Sequence, residues 1–174
     1  MIFTGEKKDK GFTLVELAAV IAIMVVMTGV LTLSLSVIYN EDAKRAVALI
    51  DDELTEARML SMSKSGDFSL TVDADGDPKK NKIVIKRGTA DYKTINIDKS
   101  VLISYKLNEG SYTTPGTDLV IVFDKSTGSV KTVNGAPATA NGIYEIKAVA
   151  QRGSNPQARL SLIVNTGRHY IEKD

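Results

Sequence analysis

Between Phe12 and Tyr39 the chain runs for 28 residues with a single charged side chain, Glu16. Eighteen or more apolar residues in a row read as a membrane-spanning helix. At 1.5 Å per residue the run extends roughly 42 Å, more than the ~30 Å hydrocarbon layer of a bilayer. A carboxylate inside such a span costs about 2.5–3.5 kcal/mol, and each large apolar residue returns roughly 0.3–0.6 kcal/mol. The seventeen Leu, Ile, Val, Phe and Met residues of the run therefore outweigh Glu16. An ionisable residue kept inside a span needs a partner.

Past Tyr39 the helical pattern continues. No glycine or proline intervenes between Gly29 and Gly66. Ala43, Ala46, Val47, Ile50, Leu54, Ala57 and Ser61 recur at three- and four-residue spacing, with Asp51, Asp52, Glu53, Glu56 and Arg58 between them. That is a one-sided amphipathic helix covering something apolar. Asp52 and Glu56 are like-charged at helical spacing, so propensity and packing, rather than ion pairs, are expected to hold this part. One helix over residues 12–63 is predicted, its first portion (12–39) for membrane or filament core.

After Gly66 the period shortens to two. Phe68-Leu70-Val72 alternates with Ser69 and Thr71, as in a half-buried strand. Further short strands are predicted at Ile83–Ile85, Tyr92–Ile97, Val101–Lys106, Leu119–Phe123, Ser129–Val133, Tyr144–Ala150, Arg159–Val164 and Arg168–Ile171. Loops are predicted at Asn108–Asp118 and Asn134–Gly142. The fold class is thus α+β, a long N-terminal helix packed against an antiparallel β-sheet domain over residues 64–174.

Composition narrows the function. Net charge is +1 over 174 residues, so whole-molecule electrostatics give no case for nucleic acid. There is no cysteine, so the domain relies on its core and not on disulfides. Residues 1–11 hold Lys7, Lys8 and Lys10 against Glu6 and Asp9; without them nineteen basic and nineteen acidic side chains remain. A secretory signal loses its apolar region on cleavage, but here the small residue Gly11 precedes that region, so the span is expected to be retained. Lysines just before the span place the N-terminus in the cytoplasm and the bulk outside.

The stretch Gly11-Phe12-Thr13-Leu14-Val15-Glu16-Leu17, behind a short basic leader and ahead of an apolar helix, resembles the class III signal of type IV pilins and type II secretion pseudopilins. The resemblance implies a leader at 1–11, cut by a prepilin peptidase between Gly11 and Phe12, and methylation of the new Phe12 amine. It also implies that Glu16 pairs with the N-terminal amine of a neighbouring subunit during assembly. Two opposite charges in low dielectric stabilise each other, and either left alone is costly. Other pilin subunits, the peptidase, an inner-membrane assembly platform and bilayer lipid are the implied partners. A second resemblance covers Val120-Ile121-Val122-Phe123-Asp124 with Gly128, the Arg159–Val164 strand and Gly167-Arg168. It is to the C-terminal half of the GspH/FimT class of minor pilins and pseudopilins, and implies a low-abundance subunit near a filament tip.

Other candidates carry less. Asp73, Asp75 and Asp77 alternate as in a calcium loop, yet Pro78 and Val84 stand where an EF-hand needs glycine and glutamate; a polar hairpin turn is the simpler reading. His169 is the only histidine; it is expected on the surface or at an edge strand, and without cysteine or a second histidine no nucleophile triad or zinc site follows. Arg152, Arg159, Arg168 and His169 could meet on one face and bind DNA, but only Tyr170 offers a nearby stacking platform. The expectation is a structural subunit, neither an enzyme nor a cofactor carrier, of a pilus or pseudopilus. It would sit in the cytoplasmic membrane before entering an external filament. A competence-type DNA-handling subunit and a major pilin are the alternatives.

Overall fold

The computed structural model describes residues 12–73, 80–97, 101–114, 117–151 and 156–172, without the side chains of residues 30–40 and of Asp73. Helix α1 runs Leu14–Ser63, and compactness divides the chain between Ser36 and Val37. The second half of α1 therefore belongs with the strands in one unit, and the first half stands in the other.

In the second unit the three- and four-residue stripe is the buried face of α1. Ala43, Ala46, Val47, Ile50, Leu54, Ala57 and Ser61 are all buried. Small residues at Ala43, Ala46 and Ala57 let strand side chains come close to the helix axis, and Ile50 and Leu54 fill the middle. The helix ends at Ser63, and three residues on Gly66 takes a φ of 126°, a backbone conformation open to glycine, as the chain turns into the first strand.

Among the described residues ten strands follow: β1 (Phe68–Asp73), β2 (Lys82–Arg87), β3 (Ala90–Asn96), β4 (Val101–Leu107), β5 (Leu119–Phe123), β6 (Val130–Val133), β7 (Ala136–Pro137), β8 (Ile143–Ala150), β9 (Gln157–Ile163) and β10 (His169–Ile171). They form two antiparallel sheets. The larger has the order β3-β2-β1-β5-β6-β7 and the smaller β10-β9-β8-β4. Alternation puts Leu70, Ile85 and Ile121 of one sheet and Ile103, Ile146 and Leu160 of the other into a single core with the helix stripe. The α+β architecture expected from the sequence is therefore the architecture found.

Three details depart from expectation. The Asn134–Gly142 loop holds a small hairpin: Asn134 and Gly135 both take positive φ, 50° and 78°, the turn that an Asn-Gly pair favours, and β7 pairs back onto β6. Glu53 is buried, with 5% of its surface exposed, although its spacing suggested a solvated position. Ion pairs do support this part of the helix: Lys93 of β3 reaches Glu53 at 2.8 Å and Glu56 at 2.5 Å. Those hydrogen bonds raise the Lys93 ammonium above its ordinary range, against the opposing effect of its partial burial.

Arg58 joins the two sheets. Its Nε donates to the carbonyl of Gly128 at 2.8 Å and its Nη2 to that of Thr166 at 3.0 Å. Gly128 turns β5 into β6, and Thr166 lies in the turn from β9 to β10. The Val130 amide also donates to the carbonyl of Val164 across the same junction, at 2.9 Å.

Candidate assembly site at the start of α1

The first turn of α1 is built by two side chains. Thr13 precedes the helix, and its Oγ1 accepts from the Glu16 amide at 3.2 Å. Glu16 reaches back, its Oε2 accepting from the Thr13 amide and the Thr13 hydroxyl, each at 2.8 Å. This is the reciprocal capping box of a Thr-x-x-Glu sequence, which satisfies two amides that a helix start leaves open. Among the described residues Glu16 Oε1 accepts no hydrogen bond. Phe12 lies just before the box and is 87% exposed.

From Phe12 to Gly29 every described residue is exposed, among them Leu14, Val15, Leu17, Ile21, Ile23 and Val26. Besides Thr13, the stretch has one hydroxyl, on Thr28, which donates to the carbonyl of Met24 at 2.7 Å and so leaves no open donor in an apolar setting. Among the described residues no helix is long and apolar enough to cross a membrane. The side chains described there end at Gly29, sixteen residues into α1, short of the eighteen or so that a span needs.

The remaining candidates are placed as follows. Gly11, Asp75, Asp77 and Arg152 lie outside the described residues. Asp73 closes β1, opposite Lys82 of β2. No group of three His, Cys, Asp or Glu side chains suited to a metal occurs among the described residues.

Arg159 lies on the outward side of β9, 3.6 Å from Glu145 of β8. Glu145 also takes Lys106 at 2.9 Å and the hydroxyl of Tyr112. Burial alone would raise the Glu145 carboxyl, but hydrogen bonds from Tyr112 and Lys106, with the charges of Lys106 and Arg159, hold it below the usual range. Burial, then the Glu145 hydrogen bond and charge, push the Tyr112 phenol well up, consistent with Tyr112 acting as the donor. Lys147 Nζ sits 3.7 Å from the centre of the Tyr112 ring, within cation–π range. Arg159 is thus tied into a mixed-charge cluster.

Arg168 is exposed in the turn before β10. His169 is in edge strand β10, as expected, but its side chain is turned inward and only 8% exposed, so it is not a surface residue. It pairs in register with the buried Leu162. Its Nε2 is 2.9 Å from Thr55 Oγ1 and 3.7 Å from Asp51 Oδ1 on α1, and its Nδ1 faces the carbonyl of Gly167 at 3.2 Å. A hydrolytic triad needs the acid on one ring nitrogen and the hydroxyl on the other. Here both are at Nε2, an arrangement that docks β10 on the helix and activates no nucleophile. The spacing of Thr55 and Asp51 on one helix face was the available signal for this contact, but their partner lies 114 residues beyond Thr55 in sequence.

The N-terminal segment is where the chain meets known proteins. Residues 7–32 match the prokaryotic N-terminal methylation motif. The match covers the Gly11–Phe12 junction, the capping box and the whole of the exposed stretch from Phe12 to Gly29. The motif supports a subunit of type IV pilin or pseudopilin type, structural in role, processed by a prepilin peptidase and assembled with other pilin subunits. It also points to anchoring in the inner membrane before assembly. No curated protein and no solved structure matches the chain.

Proposed function

We propose that this chain is a minor structural subunit of a type IV pilus or of a type II secretion-like pseudopilus. Its leader, residues 1–11, is cut between Gly11 and Phe12, and the Phe12 amine is methylated. The stem, residues 12–63, holds the subunit in the cytoplasmic membrane with its N-terminus inside and then enters a helical filament core. Residues 64–174 form the domain outside. The assembly platform of the inner membrane extracts the subunit, and Glu16 pairs with the Phe12 amine of a neighbour in a head-to-tail contact that does not close on itself.

One observation carries this reading. The single charge of the apolar run is Glu16, five residues past the Gly11 junction, at the head of a helix whose following side chains are all exposed as far as Gly29. An uncovered apolar surface of this length calls for lipid or other helices around it. The minor-subunit assignment in the GspH/FimT class is supported by the placement of the segments that bear that resemblance. Strand β5 with its Gly128 turn and strand β9 with its Gly167 turn adjoin each other through Arg58.

The test is the mature N-terminus and the fate of Glu16→Val. The chain recovered from membranes should begin at a methylated Phe12, and Glu16→Val should insert normally yet be missing from sheared filaments. A chain that still begins at Met1, or a Glu16→Val subunit present in filaments at the native level, would overturn the proposal.

A further inference from the structure

The carboxylate of Glu16 is divided between its two oxygens. Oε2 takes both donors of Thr13, the amide and the hydroxyl, and Oε1 accepts nothing among the described residues. The Thr13 hydroxyl works in both directions, donating to Oε2 and accepting from the Glu16 amide. From this geometry we infer that Thr13 is the positioning residue of Glu16: it anchors one carboxylate oxygen within the subunit and leaves the other facing outward for the ammonium of a neighbouring chain. The inference rests on the assembly role proposed above for Glu16.

The physical reason lies in the apolar surroundings. A glutamate side chain has three rotatable bonds, and fixing it at the moment of pairing costs rotamer freedom. A box that holds it beforehand removes that cost from the association step. The box also gives the carboxylate two donors while the subunit waits in lipid, where a charge without hydrogen bonds is most expensive. Both donors survive removal of the leader, because the Thr13 amide belongs to the Phe12–Thr13 peptide bond. The new amine then stands one residue ahead of the box. Each subunit thereby presents an anchored acid and, beside it, the cation that the next acid needs.

The hydroxyl is the group under test, so the informative pair is Thr13→Val, which keeps the shape and loses the oxygen, and Thr13→Ser, which keeps the oxygen. Full-length subunits are expressed with the filament machinery, and incorporation is scored as the fraction of processed subunit found in sheared filaments. Scoring against the processed pool removes any difference in leader cleavage. In parallel, exchange of the Thr13 and Glu16 amides is followed on the processed subunit in detergent micelles. Thr13→Val should lower incorporation roughly tenfold and speed exchange at both amides by about five- to tenfold. Thr13→Ser should restore both to near the native values.

Native incorporation or native exchange in Thr13→Val overturns the inference, as does a Thr13→Ser subunit no better than Thr13→Val. Glu16→Val in the same assay separates the two proposals. If it enters filaments normally, the assembly role of Glu16 fails whatever Thr13 does; if it is excluded while Thr13→Val enters, only the positioning role fails.

Discussion

A Cβ placed on Gly167 would stand 1.9 Å from the carbonyl oxygen of Gly128. The turn that ends the smaller sheet and the turn in the middle of the larger one thus meet backbone to backbone. Gly167 also has a φ of +63°, which side-chain-bearing residues resist. Gly167→Ala combines the clash with the strained backbone and is expected to cost about 2–4 kcal/mol. Denaturant unfolding of the full chain in micelles, followed by the tyrosine signal of the domain, measures it. A change within 0.5 kcal/mol, on the order of an ordinary surface substitution, would contradict the contact.

Lys93 is the sole described partner of the buried Glu53. Lys93→Met should destabilise the domain by about 1–2 kcal/mol, a modest figure because the lysine is itself about a third exposed. Adding Glu53→Gln should recover part of the loss. The Lys93 ammonium is raised by its two carboxylates, so its contribution is fully present below the unfolded value of 10.5 and disappears as pH rises through the still higher folded value. A melting curve series rising from pH 8 should therefore separate native from Lys93→Met by a constant amount below 10.5 and narrow that gap as the pH climbs beyond it.

Asp124 closes the turn between β5 and β6. The Ser126 hydroxyl, the Thr127 and Ser126 amides and the Thr127 hydroxyl hold its carboxyl down at about 2, from an ordinary 3.8. The stabilisation is present above the unfolded value and is lost as pH falls through the folded one. Native protein should lose stability relative to Asp124→Ala as the pH is lowered from about 4 to about 2, and the two should differ by a constant amount above pH 5. A pH-independent difference throughout would show that the carboxylate does not organise this turn.

Asn134 does three things at once. It accepts the Val120 amide at 2.7 Å, donates to the Tyr105 hydroxyl at 2.6 Å, and takes a φ of 50°. Asn134→Ala removes these two hydrogen bonds and a third, from Nδ2 to the Asp118 carbonyl at 3.2 Å, and resists the backbone, for an expected loss of about 2 kcal/mol. Asn134→Asp, which can still accept, should lose less. Equal losses for the two would assign the effect to the hydrogen bonds that the amide nitrogen donates, to Tyr105 and to Asp118.

Much of the fold could be read in the sequence wherever burial imposes a regular period. The stripe from Ala43 to Ser61 is a helix face because 3.6 residues per turn brings those positions together. The Phe68-Leu70-Val72 alternation marks a strand for the corresponding reason. Sheet membership left no such trace. Strand β1 pairs with β5 as well as with its neighbour β2, and β4 joins the other sheet beside β8. These pairings depend on where whole faces meet in the core, which the alternation of a single strand does not encode.

The departures share that cause. Glu53 is buried because β3 supplies a lysine forty residues later in the chain. The His169 side chain is covered because β10 lies over Thr55 and Asp51. The β7 hairpin was the exception, since Asn134-Gly135 is a local signal with a known turn preference. At the candidate site the lone charge of Glu16 stands out in the apolar run by pattern, whereas the Gly11–Phe12 junction is an expectation that comes from the resemblance to the pilin signal. The part taken by Thr13 needed coordinates, because a threonine three residues before a glutamate states only that a capping box is available.

Arg58 has a mechanical consequence. A filament subunit is pulled along its stem, and here the stem grips the β5–β6 turn and the β9–β10 turn through the same guanidinium. Tension arriving along the second half of α1 is therefore shared by both sheets from the outset, and the Val130–Val164 hydrogen bond across the same junction must give way along with that side chain before either is peeled from the other.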